Sequence, residues 1–283
     1  MNNNETATIH LLHPGAYMQC TAWLIEGPEG LILVDTGSGC EEEKLLANLQ
    51  HLGFTPEQVT HALITHCHCD HSIGAKRWRR FGTRIVASAR CAEYLESADP
   101  IIWGEHPDLI PKNPVDIRLQ DSETLTAAGL TIQGIDTPGH TLGSMTYLID
   151  GEDKRLAFTG DLLLFEGVPG WAGKGQYDAE SLLASLQRLL ALSLTRVHPG
   201  HGGAIDEVDA WLRRGIRLGR AGEWHPNSKW QTMEVPEALQ PWPRLYKDSW
   251  DNSKPETRSF SSDPRRVPQE ALHTKPVEET NDN

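Results

Sequence analysis

The stretch Thr65-His66-Cys67-His68-Cys69-Asp70-His71 decides the fold, because it places three histidines and one aspartate within six residues directly after an apolar run. Residues two apart point in nearly opposite directions on a helix, whereas on an extended chain they point to the same side. His66 and His68 can therefore share a metal ion only where a strand leaves the sheet in an extended conformation. As the chain turns into the next helix, Asp70 and His71 face a second position. Imidazole nitrogens and carboxylates are typical ligands of catalytic zinc.

Three further motifs follow apolar runs and end in turns that contain glycine. They are Thr137-Pro138-Gly139-His140, Phe158-Thr159-Gly160-Asp161 and His198-Pro199-Gly200-His201. A rigid sheet commonly presents functional side chains on loops of this kind. His140, Asp161 and His201 are therefore candidate partners of the first motif, and this density of ligand-type residues argues against an ordinary polar loop.

With these motifs and the turn Leu33-Val34-Asp35-Thr36-Gly37, residues 9–206 resemble the metallo-β-lactamase superfamily. The resemblance implies an α/β fold, the four-layer αββα sandwich of metallo-β-lactamase type. It also implies two neighbouring metal ions, each held by three side chains and joined by one bridging carboxylate, with Asp35 as an orienting group. The first triad is His66, His68 and His140, the second is Asp70, His71 and His201, and the bridge is Asp161.

The activity implied by the resemblance is that of a zinc-dependent hydrolase. Two zinc ions would share a hydroxide that cleaves an ester, thioester or lactone bond of a small molecule, with Asp70 and Asp161 taking part in catalysis. Because true β-lactamases usually lack the bridging aspartate, Asp161 favours similarity to glyoxalase II-like thioesterases, lactonases and phosphodiesterases. Tyr177 is a candidate donor to a developing oxyanion, although it suits a packing role equally well.

A second enzymatic interpretation stays open, because the first motif also resembles that of the persulfide dioxygenases. Those enzymes use one Fe²⁺ held by two histidines and a carboxylate, for which His66, His140 and Asp161 would serve. The Gly-Cys-Gly-Arg segment typical of glyoxalase II and of these dioxygenases is not evident in residues 166–174. A β-lactamase, a phosphodiesterase and an inactive binding protein are weaker alternatives, and the complete ligand set argues against the last.

Other ligand-type residues near the motifs are not predicted to bind metal. On an extended segment, Cys67 and Cys69 point away from the side that carries the neighbouring histidines. His198 lies three residues before His201, but the resemblance does not place a ligand there. Structural roles are therefore predicted for these three side chains.

Composition limits the partners and the location of the protein. The 283 residues carry 26 Lys and Arg against 39 Asp and Glu, a formal charge of −13, which disfavours nucleic-acid binding. The sequence has no secretion signal and no run of the ~18 apolar residues needed to span a membrane, so it predicts a cytoplasmic protein with a small-molecule substrate. Five scattered cysteines then predict free thiols. Oligomeric state has no signal in the sequence.

Apolar periodicity predicts a hydrolase domain over residues 1–223, in which strands and helices alternate and a second run of strands implies a second sheet. Its clearest helix spans residues 178–192, with Asp178 as N-cap and leucines along one face. Residues 100–114 are rich in proline and predict a loop that walls the substrate pocket. Residues 224–250 predict a Trp- and Pro-rich strap. Residues 251–283 have almost no apolar periodicity and predict a disordered tail.

Overall fold

The computed structural model describes residues 7–16, 19–103, 107–151, 154–164, 167–170 and 177–224. Two β-sheets pack face to face, and helices cover their outer sides. This is the four-layer αββα sandwich that the sequence predicted. The predicted strap and tail lie outside the described residues, apart from Trp224, and the domain boundaries remain predictions.

The first sheet contains β1 to β6 in chain order, and it places two of the sequence motifs side by side. Strands β1 to β3 are antiparallel, and β3 to β6 are parallel. Parallel neighbours end at the same edge of a sheet, so Asp35 after β3 and the histidine motif after β4 become neighbours. The strands are β1 (Thr8–Ala16), β2 (Gln19–Gly27), β3 (Gly30–Val34), β4 (Val59–Leu63), β5 (Arg84–Ser88) and β6 (Ile117–Leu119). The helices among them are α1 (Glu42–His51), α2 (Cys69–Ser72), α3 (Ala75–Trp78) and α4 (Ala89–Ser97).

The second sheet has the order β11-β10-β9-β8-β7 and carries the other three motifs. Strands β10 and β11 are parallel, and two antiparallel steps give β8 the same direction as β10. The loops that hold His140, Asp161 and His201 therefore leave the sheet at one edge. The strands are β7 (Thr124–Ala127), β8 (Leu130–Asp136), β9 (Met145–Asp150), β10 (Arg155–Gly160) and β11 (Arg196–Pro199), and the helices are α5 (Ala179–Leu190) and α6 (Val208–Arg220).

Two apolar clusters hold the layers together. The central cluster lies between the sheets and includes Tyr147 and Phe158, both fully buried. The outer cluster joins the second sheet to α5 and α6. Helix α5 contributes Leu182, Leu186 and Leu189, which are spaced as one helical face requires. Its N-cap is Asp178, as predicted, because the carboxylate accepts hydrogen bonds from the backbone N–H groups of the first turn.

Two described elements, α2 and β7, were not predicted from the sequence pattern. Helix α2 has four residues, which is too short for a 3.6-residue period to show. Strand β7 is also four residues long, and two of its four side chains are exposed, so it lacks an apolar signal. Residues 100–114 contain short 3-10 turns at Pro100–Ile102 and Pro107–Leu109.

The longest described helix, α6, has 13 residues, and no described helix is long and apolar enough to cross a membrane.

Candidate metal centre

The first triad of histidines brings three ring nitrogens to one point. His68 Nδ1 lies 3.1 Å from His66 Nε2 and 2.8 Å from His140 Nε2, and the two Nε2 atoms are 3.2 Å apart. Tetrahedral zinc with Zn–N bonds of 2.0–2.1 Å places its nitrogen ligands about 3.3 Å from one another. Two of the three distances are close to this value, so the triad suits one metal ion.

The extended exit from β4 explains how His66 and His68 meet. Residues 64–68 follow the strand without entering a helix, and His68 itself is extended with φ −57° and ψ 150°. Helix α2 begins at Cys69, so it turns the next two ligand-type residues toward a second position. Cys67 is fully buried, and within the described residues neither Cys67 nor Cys69 belongs to a cluster able to hold a metal.

The second triad lies beside the first. Asp70 Oδ2 is 3.2 Å from His201 Nε2 and 3.5 Å from His71 Nε2, and the two histidine nitrogens are 3.3 Å apart. Two imidazoles and one carboxylate are a normal ligand set for catalytic zinc. Six of the seven predicted ligands thus form the two predicted triads.

Asp161, the seventh, lies between the triads. Its Oδ1 is 3.4 Å from His71 Nε2, and its Oδ2 is 3.5 Å from His201 Nε2 and 3.7 Å from His140 Nε2. Among the described residues, Oδ1 is buried without a hydrogen-bond donor, which is costly for a carboxylate unless a cation faces it. A Cβ on Gly170 or Gly200 would come within 2.4 Å or 2.3 Å of this carboxylate. The chain thus leaves room around a buried anion, and the site fits a pair of cations.

Hydrogen-bond acceptors behind the two triads fix which ring nitrogen of His71 and of His140 faces the metal positions. His71 Nδ1 donates to Asp35 Oδ2 at 2.8 Å, and His140 Nδ1 donates to the Gly170 carbonyl at 3.2 Å. In the neutral ring that metal binding requires, the inward Nε2 atom therefore carries the lone pair. Asp35 has φ 56°, a left-handed conformation unusual for a residue with a side chain. Such strain is tolerated when neighbours fix the residue, as the hydrogen bond from Asp35 N to Leu63 O does here.

The two triads differ in charge. Burial, with neighbouring histidines, lowers the pKa of His66 and lowers the pKa of His140 to about 3, so these two imidazoles of the first triad are neutral. Burial alone would lower the pKa of His201, but the facing carboxylates raise it well above its ordinary value. Burial likewise opposes ionisation of Asp70 and Asp161, yet nearby histidines hold the pKa of both carboxyls low. The carboxylates of Asp70 and Asp161 therefore draw positive charge to the second triad, which suits this triad to a cation.

Tyr177 is separate from this cluster in its described contacts. Its ring packs against the outer cluster, and its buried hydroxyl has no hydrogen-bond partner within the described part of the chain. Burial raises its pKa to about 12. The role of Tyr177 as an oxyanion donor stays a prediction, because residues 171–176 beside it lie outside the described chain.

His198 joins neither triad. Its ring stacks on Phe158 with centroids 4.7 Å apart and meets Trp23 edge-on at 4.8 Å. Burial lowers its pKa to about 4, so the imidazole is neutral at physiological pH and serves as a packing residue. This agrees with the structural role predicted for it.

Apart from Asp35, the groups that support the ligands were not predicted from the sequence. Gly170 contributes the backbone carbonyl that accepts from His140, and its lack of a side chain lets the backbone approach the Asp161 carboxylate. Neither feature has a signal in the sequence. Gly200 stands within the His198-Pro199-Gly200-His201 motif, and that position is the signal that could have identified it. Cys20 is fully buried and clusters with Asp35 and His71. It lies in a strand far from the motifs in sequence, so only the tertiary structure reveals it.

Comparison with known proteins agrees with this geometry. The chain is 29% identical over 239 residues to the Beta-lactamase-like protein 2 homolog of Drosophila melanogaster, covering 79% of this chain and 73% of that protein. It is 28% identical over 188 residues to an atrochrysone carboxyl ACP thioesterase of Aspergillus fumigatus, covering 65% of this chain and 51% of the fungal protein. The chain therefore spans about half the length of that thioesterase.

Solved structures share the fold. A metallo-beta-lactamase family protein from Thermus thermophilus superposes with a TM-score of 0.62 at 22% identity, covering 84% of this chain and 89% of that one. The family model described as the metallo-beta-lactamase superfamily matches residues 16–201, from the first hairpin to His201 of the second triad. Because this match covers more than half of the chain and includes all four motifs, the protein belongs to the metallo-β-lactamase superfamily.

Proposed function

We propose that the protein is a dinuclear zinc hydrolase that cleaves an ester-type bond of a small molecule, with thioesters as the leading class. The observation that supports this most directly is the position of Asp161, whose carboxylate lies within 3.7 Å of ligand nitrogens from both triads. One carboxylate shared by two complete triads is the arrangement expected for two adjacent metal ions. The similarity to a protein named as a thioesterase favours thioesters among the possible substrates.

The predicted ligands differ in solvent exposure, and the difference indicates how a substrate reaches the site. His66, His71 and His140 are buried, whereas His68, Asp70 and His201 are partly exposed. The exposed three therefore mark the side from which a substrate reaches the centre. Two zinc ions bound here would supply Lewis acidity and lower the pKa of water toward neutrality.

Asp70 acts through its charge in this proposal. Burial opposes its ionisation, but His71 and His201 hold the pKa of its carboxyl far below neutrality. The carboxylate is therefore ionised at physiological pH, so it can orient a proton donor by accepting a hydrogen bond, but it does not hold a proton itself. Asp161 is ionised for the same reason.

The single-iron alternative would use His66, His140 and Asp161. The shortest described approach of the Asp161 carboxylate is to His71, at 3.4 Å, and its approach to His140 is 3.7 Å. A carboxylate this close to the second triad favours two metal positions.

We also propose a cytoplasmic location and a small-molecule substrate.

The first experiment is elemental analysis of the purified protein, followed by assays of thiol release from a panel of acyl thioesters. We expect about two zinc ions per chain and thioester hydrolysis. About one iron per chain with oxygen consumption would favour the sulfur-oxygenase instead, and a chain without tightly bound metal would refute both.

A matched pair of variants makes the test specific. His201→Ala removes one ligand of the second triad, so it should reduce zinc to about one per chain and lower the rate at least about 100-fold. His51→Ala changes an exposed histidine of α1, so it should keep both metals and full activity. Equal activity in the two variants would contradict the dinuclear assignment.

A further inference from the structure

Thr65, directly before the first ligand, joins both triads through one carboxylate. Its backbone N–H donates to Asp35 Oδ1 at 2.8 Å, and its hydroxyl donates to Asp35 Oδ2 at 2.8 Å. The same Oδ2 accepts from His71 Nδ1 at 2.8 Å, and Thr65 Oγ1 lies 3.1 Å from His66 Nδ1. All four residues are buried.

The protons in this network have only one consistent arrangement. A carboxylate is an acceptor, so the single hydroxyl proton of Thr65 is given to Asp35. Thr65 Oγ1 can then only accept from the His66 ring, which places the proton of that ring on Nδ1. His66 Nε2, the atom 3.2 Å from His140 Nε2, is left with its lone pair facing the cluster.

We propose that the Thr65 hydroxyl is a positioning group that fixes the tautomer of His66 for metal binding. Asp35 Oδ2 orients one ligand of each metal position, His71 directly and His66 through Thr65. This inference rests on the proposed function, because it concerns the affinity of the two metal positions.

The described neighbours of Thr65 hold its hydroxyl in place. Its backbone is fixed from both sides, because Met145 N donates to Thr65 O at 2.8 Å and Thr65 N donates to Asp35. A Cβ on Gly160 would come within 2.4 Å of Thr65 Oγ1, so Gly160 packs directly against the hydroxyl. Thr65→Val keeps the shape of the side chain and removes only the hydrogen bonds. His66 Nδ1–H would then be buried without its acceptor.

The expected effect is asymmetric between the two metal positions. Losing a group that orients a metal-binding histidine typically lowers metal affinity about 10–100-fold. Thr65→Val should produce this loss at the first position, whereas the second should change less than about threefold because His71 keeps its direct bond to Asp35. A general loss of structure would weaken both positions together.

The test is a zinc titration of metal-free protein against a competing chromophoric chelator. A His201→Ala background, which leaves only the first triad complete, reports the first position alone. Thr65→Ser keeps a hydroxyl and should restore affinity to within about threefold of the parent. Thr83→Val is the control. Thr83 is a buried threonine directly before β5, and it donates at 2.8 Å to the carbonyl of Val59, at the opposite end of β4 from Thr65.

Histidine tautomers read by long-range ¹H–¹⁵N NMR give a second measurement, independent of zinc. His66 should carry its proton on Nδ1 in the native protein and in Thr65→Ser, and should lose that preference in Thr65→Val. A native His66 protonated on Nε2 would overturn the proposal even if Thr65→Val failed to fold, and so would unchanged zinc affinity in Thr65→Val. Failure of the native protein to bind zinc would instead refute the proposed function, since the tautomer is measurable without metal.

Discussion

Gly170→Ala is a sharp test of the site because it adds one methyl group beside the bridging carboxylate. The new Cβ would lie 2.4 Å from Asp161 Oδ2 and 2.7 Å from its Cγ. Ordinary contacts between such atoms are about 3.5 Å, so the carboxylate must move by about 1 Å. The backbone contacts of Gly170 survive the substitution, because its N–H donates to Asp161 O at 2.7 Å and its carbonyl accepts from His140 Nδ1.

A displacement of about 1 Å in a group that positions reacting atoms can reduce a rate about 100-fold, or about 2.7 kcal/mol in activation free energy. We therefore expect Gly170→Ala to lower both zinc affinity and the rate of thioester hydrolysis by about this factor. Chelator competition and initial rates measure the two quantities. Gly203→Ala is the matched control, because a Cβ there meets nothing within 4 Å.

The result that would refute this reasoning is a Gly170→Ala protein with the zinc affinity and rate of Gly203→Ala. Such a result would mean that the Asp161 carboxylate has room to move without loss of function. It would therefore remove the main argument for a rigid bridge between the two triads.

Three other predictions concern single groups. Asp161→Ala should lower the hydrolysis rate at least about 100-fold, whereas Tyr177→Phe should change it only a few-fold, because the described contacts of Tyr177 are with the outer cluster. His198, whose pKa burial lowers to about 4, is neutral in the fold, so the unfolded chain binds more protons below about pH 6.5. Its stabilising contribution is complete above that pH and falls by about 2 kcal/mol at pH 5. Urea unfolding of zinc-free protein at pH 7.5 and 5 should show this loss, and His198→Phe should reduce it. Asp178→Ala should lower the free energy of unfolding by about 1 kcal/mol through loss of the α5 cap, and Asp178→Asn should retain most of it.

Contrary outcomes are equally specific. Equal losses in Asp161→Ala and Tyr177→Phe would make Tyr177 a catalytic residue. An identical pH dependence of unfolding in the native and His198→Phe proteins would show that the His198 ring is not held neutral. A stable Asp178→Ala protein with an unchanged unfolding midpoint would mean that other contacts fix the start of α5.

The sequence was sufficient for the fold class and for the residues that meet at the centre. Short apolar runs ending in glycine-containing turns placed His140, Asp161 and His201 at strand ends, and an extended exit was the only local conformation that let His66 and His68 share one ion. These are local properties, because strand and helix periods act over a few residues. Elements of four residues, such as α2 and β7, are too short to give that signal.

The tertiary structure alone decided how the ligands are oriented. The contact between His140 and His66 joins residues 74 positions apart, and that between His71 and Asp35 joins residues 36 apart. The inward nitrogens of His71 and His140 depend on acceptors from other loops, the Asp35 carboxylate and the Gly170 carbonyl. That of His66 depends on the neighbouring Thr65 hydroxyl, whose proton is given to Asp35 of another loop. A tautomer is set by such a partner, and no period along the chain encodes it. Sequence therefore determined which side chains gather at this edge of the sandwich, while packing between distant loops determined which atoms face the metal positions.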